Sequence, residues 1–176
     1  MSKTITRTVR NSARAFAAAG LAVAALATGA TGAQASTSAG FVNTSWGDYR
    51  TDWADEGLIS TTQHANSGAA GLWQLVLWQD GFLSEADVDC QFGPRTQAAT
   101  KAWQSRYLGA SEADGVVGPK TFGRASQNLM STDNGFSIQY HSEFLGRETS
   151  TGRYFFSTSY TRGFVKADYN SATNCR

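Results

Sequence analysis

The sequence predicts a mainly α protein, a small three-helix module with a short antiparallel β-rich extension at its C-terminal end. Three observations predict this. Helix-like apolar spacing, punctuated by glycine and proline, runs through residues 68–130. An eight-residue pattern occurs twice within that stretch, each time just before a helix. After residue 135 the apolar period changes to two, the period of a strand with one buried face.

The chain begins with a segment that reads as an export label. Lys3, Arg7, Arg10 and Arg14 precede an apolar run from Ala15 to Ala27, and small residues then lead to Ala33-Gln34-Ala35 before Ser36. A charged start, a short apolar centre and an A-x-A site are the three parts of a secretory signal peptide. The run is shorter than the roughly 20 apolar residues of a spanning helix. Residues 1–35 are therefore expected to be removed, with a secreted, extracellular or wall-associated mature protein that keeps no membrane contact.

The chain has 176 residues, 41% of them hydrophobic, with 15 basic and 14 acidic side chains. That length suits one ordinary domain and excludes a large multidomain enzyme. Without residues 1–35 the balance is 11 basic against 14 acidic, a net charge of −3. Nucleic-acid binding, which rests on many cation–phosphate contacts, is excluded on that ground. Residues 36–66 form an N-terminal extension rich in Ser, Thr, Gly and Asn, with Phe41, Trp46, Tyr49 and Trp53 among them.

The first helix is marked by Leu72, Leu75, Val76 and Gln79 at helical spacing, with Gly81 as its stop. The second starts at Pro94, carries Ala99, Trp103 and Tyr107, and ends at Gly109; the third starts at Pro119, with Phe122, Ala125 and Leu129 on one face. Proline suits a first helical position because its missing N–H would have no partner there, and glycine suits the position past the end. The repeat reads Asp89-Cys90-Gln91-Phe92-Gly93-Pro94-Arg95-Thr96 and, 25 residues on, Asp114-Gly115-Val116-Val117-Gly118-Pro119-Lys120-Thr121. Each copy is Asp, three variable positions with an apolar third, then Gly-Pro-basic-Thr.

In residues 133–176, Phe136, Ile138 and Tyr140 alternate with polar residues, as do Val165, Ala167 and Tyr169, and Gly152 and Gly163 supply turns. Two or three short strands are expected there. Cys90 and Cys175 are the only cysteines, and export favours their oxidation to a disulfide. With His64 and His141 the only histidines, a zinc site lacks the usual ligand spacings. No metal and no cofactor is assigned.

The order of elements over residues 68–130 resembles the bacterial peptidoglycan-binding domain of the three-helix type. The resemblance rests on the first helix to Gly81, the Asp89–Thr96 loop, Ala98 and Ala99, the pair Trp103-Gln104, and above all the Asp114–Thr121 loop. It implies a small helical module that tethers exported proteins to the wall, with peptidoglycan (glycan or stem peptide) as the partner. On the two loops and the helix starts they feed, it points to Asp89, Phe92, Gly93, Arg95, Thr96, Trp103, Gln104, Asp114, Gly115, Gly118, Lys120 and Thr121 as ligand-binding candidates. The chain departs from the family pattern at Cys90, where a glycine is usual, and at Trp103, where phenylalanine is common.

The reading is a secreted, monomeric, non-catalytic wall-binding protein. Two others compete. A hydrolase or peptidase would draw catalytic groups from Asp48, Asp52, Asp55, Glu56 and His64, or from Asp133, His141, Glu143, Glu148 and Asp168, but no H-E-x-x-H or G-x-S-x-G is present. An interaction or inhibitor scaffold would use the C-terminal aromatics, from Tyr140 to Tyr169, against a partner.

Overall fold

A computed structural model describes residues 39–44, 48–131, 133 and 137–176. The expected signal peptide, Trp46 and Phe136 lie outside the described residues. Among the described residues three α-helices form, α1 (Gly68–Gln79), α2 (Pro94–Tyr107) and α3 (Pro119–Ser126). Ser67 caps α1 by accepting from the Ala70 N–H at 3.0 Å. Gly81 ends it at φ +79°, its N–H bonded to the Trp78 carbonyl. Pro94 and Pro119 occupy the first positions of α2 and α3, each behind an extended glycine.

Five strands follow: β1 (Leu129–Ser131), β2 (Ile138–Tyr140), β3 (Glu143–Arg147), β4 (Tyr154–Phe156) and β5 (Val165–Lys166). They form one antiparallel sheet in the order β1-β2-β3-β4-β5. The expectation of a mainly α chain with a short β extension is thereby corrected: the fold is mixed α and β, three helices with a five-stranded sheet. The reason lies partly in β1, β3 and β4, which fall outside the two stretches that alternate with a period of two, whereas β2 and β5 fall within them. It lies also in Leu129, whose spacing from Phe122 and Ala125 fits a helix although α3 stops at Ser126 and Leu129 opens β1.

One face of the sheet is core. Leu129, Ile138, Tyr140, Leu145, Tyr154, Phe156 and Val165 are buried. Trp53, from the segment before α1, is wholly buried between the two kinds of structure. Its ring meets Phe122 of α3 and Tyr154 of β4 edge-on at 5.9 and 5.5 Å, and stacks on Tyr140 of β2 at 6.3 Å. Phe122 in turn meets Trp73 of α1, which meets Trp103 of α2 at 5.1 Å. A chain of aromatic rings thus runs from helices to sheet as one core.

Three carboxylates buried with it are each held by a tyrosine of the C-terminal segment. The Tyr140 hydroxyl donates to Asp80 at 2.8 Å, Tyr154 to Asp52 at 2.6 Å and Tyr169 to Glu56 at 2.7 Å. Arg147 reaches Asp52 at 3.2 Å. Burial raises the Asp52 carboxyl above its ordinary range, against the opposing bonds from Tyr154, Thr44 and Arg147. The N-terminal extension is bound in as well: the Val42 N–H donates to the Ala167 carbonyl, and Ile59 pairs reciprocally with Val117.

Cys90 and Cys175 form a disulfide across 85 positions of sequence. It packs against α1 where Gly71 admits it, since a Cβ on Gly71 would lie 2.5 Å from the Cys90 sulfur. Reduction, or replacement of both cysteines by serine, is expected to lower stability by about 3 kcal/mol, mainly by freeing the unfolded chain. Guanidinium unfolding with and without reductant measures this, and coincident curves would refute it.

Candidate functional site

The two copies of the repeat build the same object twice. Gln74 of α1 and Gln104 of α2 are almost wholly buried glutamines, each 1% exposed, aimed at the loop that follows. The Gln104 amide nitrogen lies 2.9 Å from Asp114 Oδ1, 2.8 Å from the Val116 carbonyl and 3.1 Å from the Thr121 hydroxyl, while its oxygen accepts from the Gly115 N–H at 2.8 Å. The Gln74 nitrogen lies 2.9 Å from Asp89 Oδ1, 3.1 Å from the Gln91 carbonyl and 3.0 Å from the Thr96 hydroxyl, and its oxygen accepts from the N–H groups of Asp89 and Cys90. A buried amide needs all its bonds made, and each loop is folded around that requirement.

Both aspartates also accept from the N–H two residues on, Gln91 and Val116 respectively. Cys90, standing where the second copy has Gly115, leaves this geometry intact. Cys90 stands at φ +64° where Gly115 stands at φ +77°, so the side chain that forms the disulfide tolerates the left-handed position that glycine adopts readily.

A cleft opens at each loop. The first, of about 280 Å³, is lined by Asp89, Gly93, Arg95 and Thr96 together with Gln74, Asp87, Gln91 and Pro94. The second, of about 130 Å³, is lined by Gln104, Asp114, Gly118, Lys120 and Thr121 together with Leu58, Leu108 and Glu112. Nine of the twelve sequence candidates are gathered in these two places. Phe92, Trp103 and Gly115 line neither. Phe92 is 2% exposed and Trp103 wholly buried, with the indole N–H of Trp103 donating to Asp80 at 2.6 Å. Gly115 is buried where an added Cβ would meet Gln97 and Lys101 at under 3 Å.

At the rim of each cleft stands a cation on the first turn of a helix, in an ion pair. Arg95 pairs with Asp87, and Lys120 with Glu112 at 2.6 Å. Both cations are largely exposed, so these pairs are weak and a competing anion can displace the carboxylate. Asp87 is held below the ordinary carboxylate range, first by the Ser84 hydroxyl and then by Arg95. Helix N-termini also attract anions through their unpaired N–H groups. Beyond the Arg95–Asp87 pair lies a further hollow of about 420 Å³ floored by Phe82, Leu83, Ala98 and Ala99.

Gln74, Asp87, Glu112 and Leu58 were not legible as site residues. Gln74 lies 15 positions before its aspartate and Gln104 only 10 before Asp114, so a repeat aligned at a constant 25 residues cannot pair them. A search for a buried glutamine ahead of each Asp–Gly-Pro-x-Thr loop would have found Gln74.

The other chemically equipped residues are elsewhere. Asp52 and Glu56 are sealed at 1% and 0% exposure. Glu148 and Asp168 both bind Arg153, and His141 bonds to Asp80 at 2.8 Å. Among the described residues no group of three or more His, Cys, Asp or Glu could hold a metal ion, and no described helix is long and apolar enough to cross a membrane. Comparison with protein-family models, curated proteins and solved structures finds no match.

Proposed function

We propose that this is an exported, non-catalytic protein that binds bacterial peptidoglycan through its two repeat-related clefts. The observation that carries the reading is the duplication itself: two clefts of like construction, each walled by a glutamine-held loop, with a cation on a helix start whose carboxylate partner an anion can displace. Peptidoglycan offers carboxylates, amides and sugar hydroxyls in a repeating array, and two like sites on one rigid body suit a repeating ligand. Open, shallow clefts with polar rims fit adhesion to such a polymer. Asp52 and Glu56 are sealed in the core and so are not available as the two carboxylates that a glycosidase needs beside the scissile bond.

The mature protein is expected to sediment with insoluble peptidoglycan and to leave its turbidity unchanged. Arg95→Glu combined with Lys120→Glu should weaken retention by at least about tenfold while the melting temperature stays within a few degrees, both side chains being exposed. A folded protein that stays in the supernatant would sink the reading. Release of soluble fragments would overturn its non-catalytic half, and full retention of the double variant would move the site away from the clefts.

A further inference from the structure

We propose that the outer face of the sheet is a second binding surface, a stacking platform for the pyranose rings of a polysaccharide. In the register of the sheet Gly146 of β3 stands beside Phe155 of β4, and Phe155 beside Lys166 of β5, all on the face away from the core. A Cβ on Gly146 would lie 1.9, 2.0 and 2.6 Å from Cζ, Cε2 and Cε1 of Phe155. Three such distances place that point over the face of the ring, since approach at the edge would leave the third carbon much farther away. Phe155 therefore lies flat over the strand with one π face down on Gly146, and the side chain stays partly exposed. Any side chain at 146 would lift it.

Phe164 meets Phe155 at 5.2 Å and 80°, making an upright wall beside this floor. It is 58% exposed, and Phe144 on the same face is 47% exposed. The wall is held in place: the Asn174 side chain donates to the Phe164 carbonyl at 2.9 Å, next to the cysteine that is tied to Cys90. An exposed aromatic side chain on a fixed backbone loses little freedom on binding. At the rim of the floor Lys166 pairs with Glu148 at 2.9 Å, and this bond, the largest cause, draws the Glu148 carboxyl down to about 2.

The occupant follows from shape and area. An equatorially substituted pyranose presents a flat C–H face, which is apolar, and a rim of hydroxyls, which is not. A flat π face with a charged pair at its edge matches both parts of that ring. The exposed rings of Phe144 and Phe164 offer roughly 200 Å², taking about 200 Å² for a whole aromatic side chain, an area that by itself falls short of a protein interface. A stable dimer needs about 800 Å² from each partner. The surface deepens the peptidoglycan reading by naming the glycan strand, and it rests on that reading only for which polysaccharide is met.

The test uses three insoluble probes with the mature protein: whole peptidoglycan, peptidoglycan stripped of its stem peptides, and chitin. Retention on stripped glycan or chitin is expected, with loss of at least about tenfold in Phe155→Ala/Phe164→Ala. Phe164→Ser alone, which changes only an exposed ring and should keep the wild-type melting temperature, is expected to lose part of it. Retention on whole peptidoglycan but on neither glycan nor chitin overturns the platform and leaves the cleft reading standing. Retention on chitin but not on whole peptidoglycan does the reverse. Equal glycan binding by a folded Phe155→Ala/Phe164→Ala protein also overturns the platform.

Discussion

Trp53→Ala is expected to destabilise the protein by about 4–5 kcal/mol, the cost of deleting a large buried aromatic side chain whose space cannot close. Trp53 is wholly buried and is the ring through which Phe122 of α3 and the Tyr140 and Tyr154 rings of the sheet touch one another. Its removal leaves a void at the seam of the core, so helices and sheet should both lose protection from hydrogen exchange. Trp53→Phe should cost far less, because the buried indole N–H of Trp53 has no hydrogen-bond partner among the described residues and its loss removes an unpaired donor. Guanidinium unfolding of the two variants decides. If both lose as much as each other, the ring is not acting through its packing.

Gln104→Ala is expected to cost about 4 kcal/mol, since it strips the buried partners from the Gly115 N–H, the Val116 carbonyl and the Thr121 hydroxyl at once. Gln74→Ala removes the same kind of centre from the first loop, but that loop remains tied through Cys90 to Cys175. Its cost should be smaller while the disulfide is intact and should approach that of Gln104→Ala once it is reduced. Unfolding of the two variants, with and without reductant, gives the comparison. Equal losses under oxidising conditions would show that the disulfide does not support the loop. In Gln104→Ala, limited proteolysis should first cut between residues 110 and 118.

These centres bear on function because they separate architecture from recognition. Asp89, Asp114, Thr96 and Thr121 serve the glutamines. Arg95 and Lys120 serve only exposed ion pairs. Substitutions of the first group should reduce binding and stability together, whereas those of the second should reduce binding alone.

The starts of α2 and α3 and the end of α1 were legible from local chemistry. Pro94, Pro119 and Gly81 act within a turn or two of themselves, by removing a donor or admitting a positive φ, and the structure places α2 and α3 on those prolines and ends α1 just before that glycine. The disulfide was legible too, because only Cys90 and Cys175 were there to form it. Clustering of site candidates followed from the repeat, since equal sequence at two helix starts makes equal loops.

Tertiary structure decided the rest. A period of two announced two or three strands but not five joined in one sheet, and the strands persist because Trp53, Asp52 and Asp80 meet them from elsewhere in the chain. The role of Gln74 was hidden for the same reason: a buried amide is defined by the loop around it, not by its helix. Phe155 was likewise one C-terminal aromatic among several until cross-strand register laid it upon Gly146. Local signals set where the helices start and stop, because backbone geometry is local; packing set the sheet and both candidate surfaces, because each needs partners tens of residues apart.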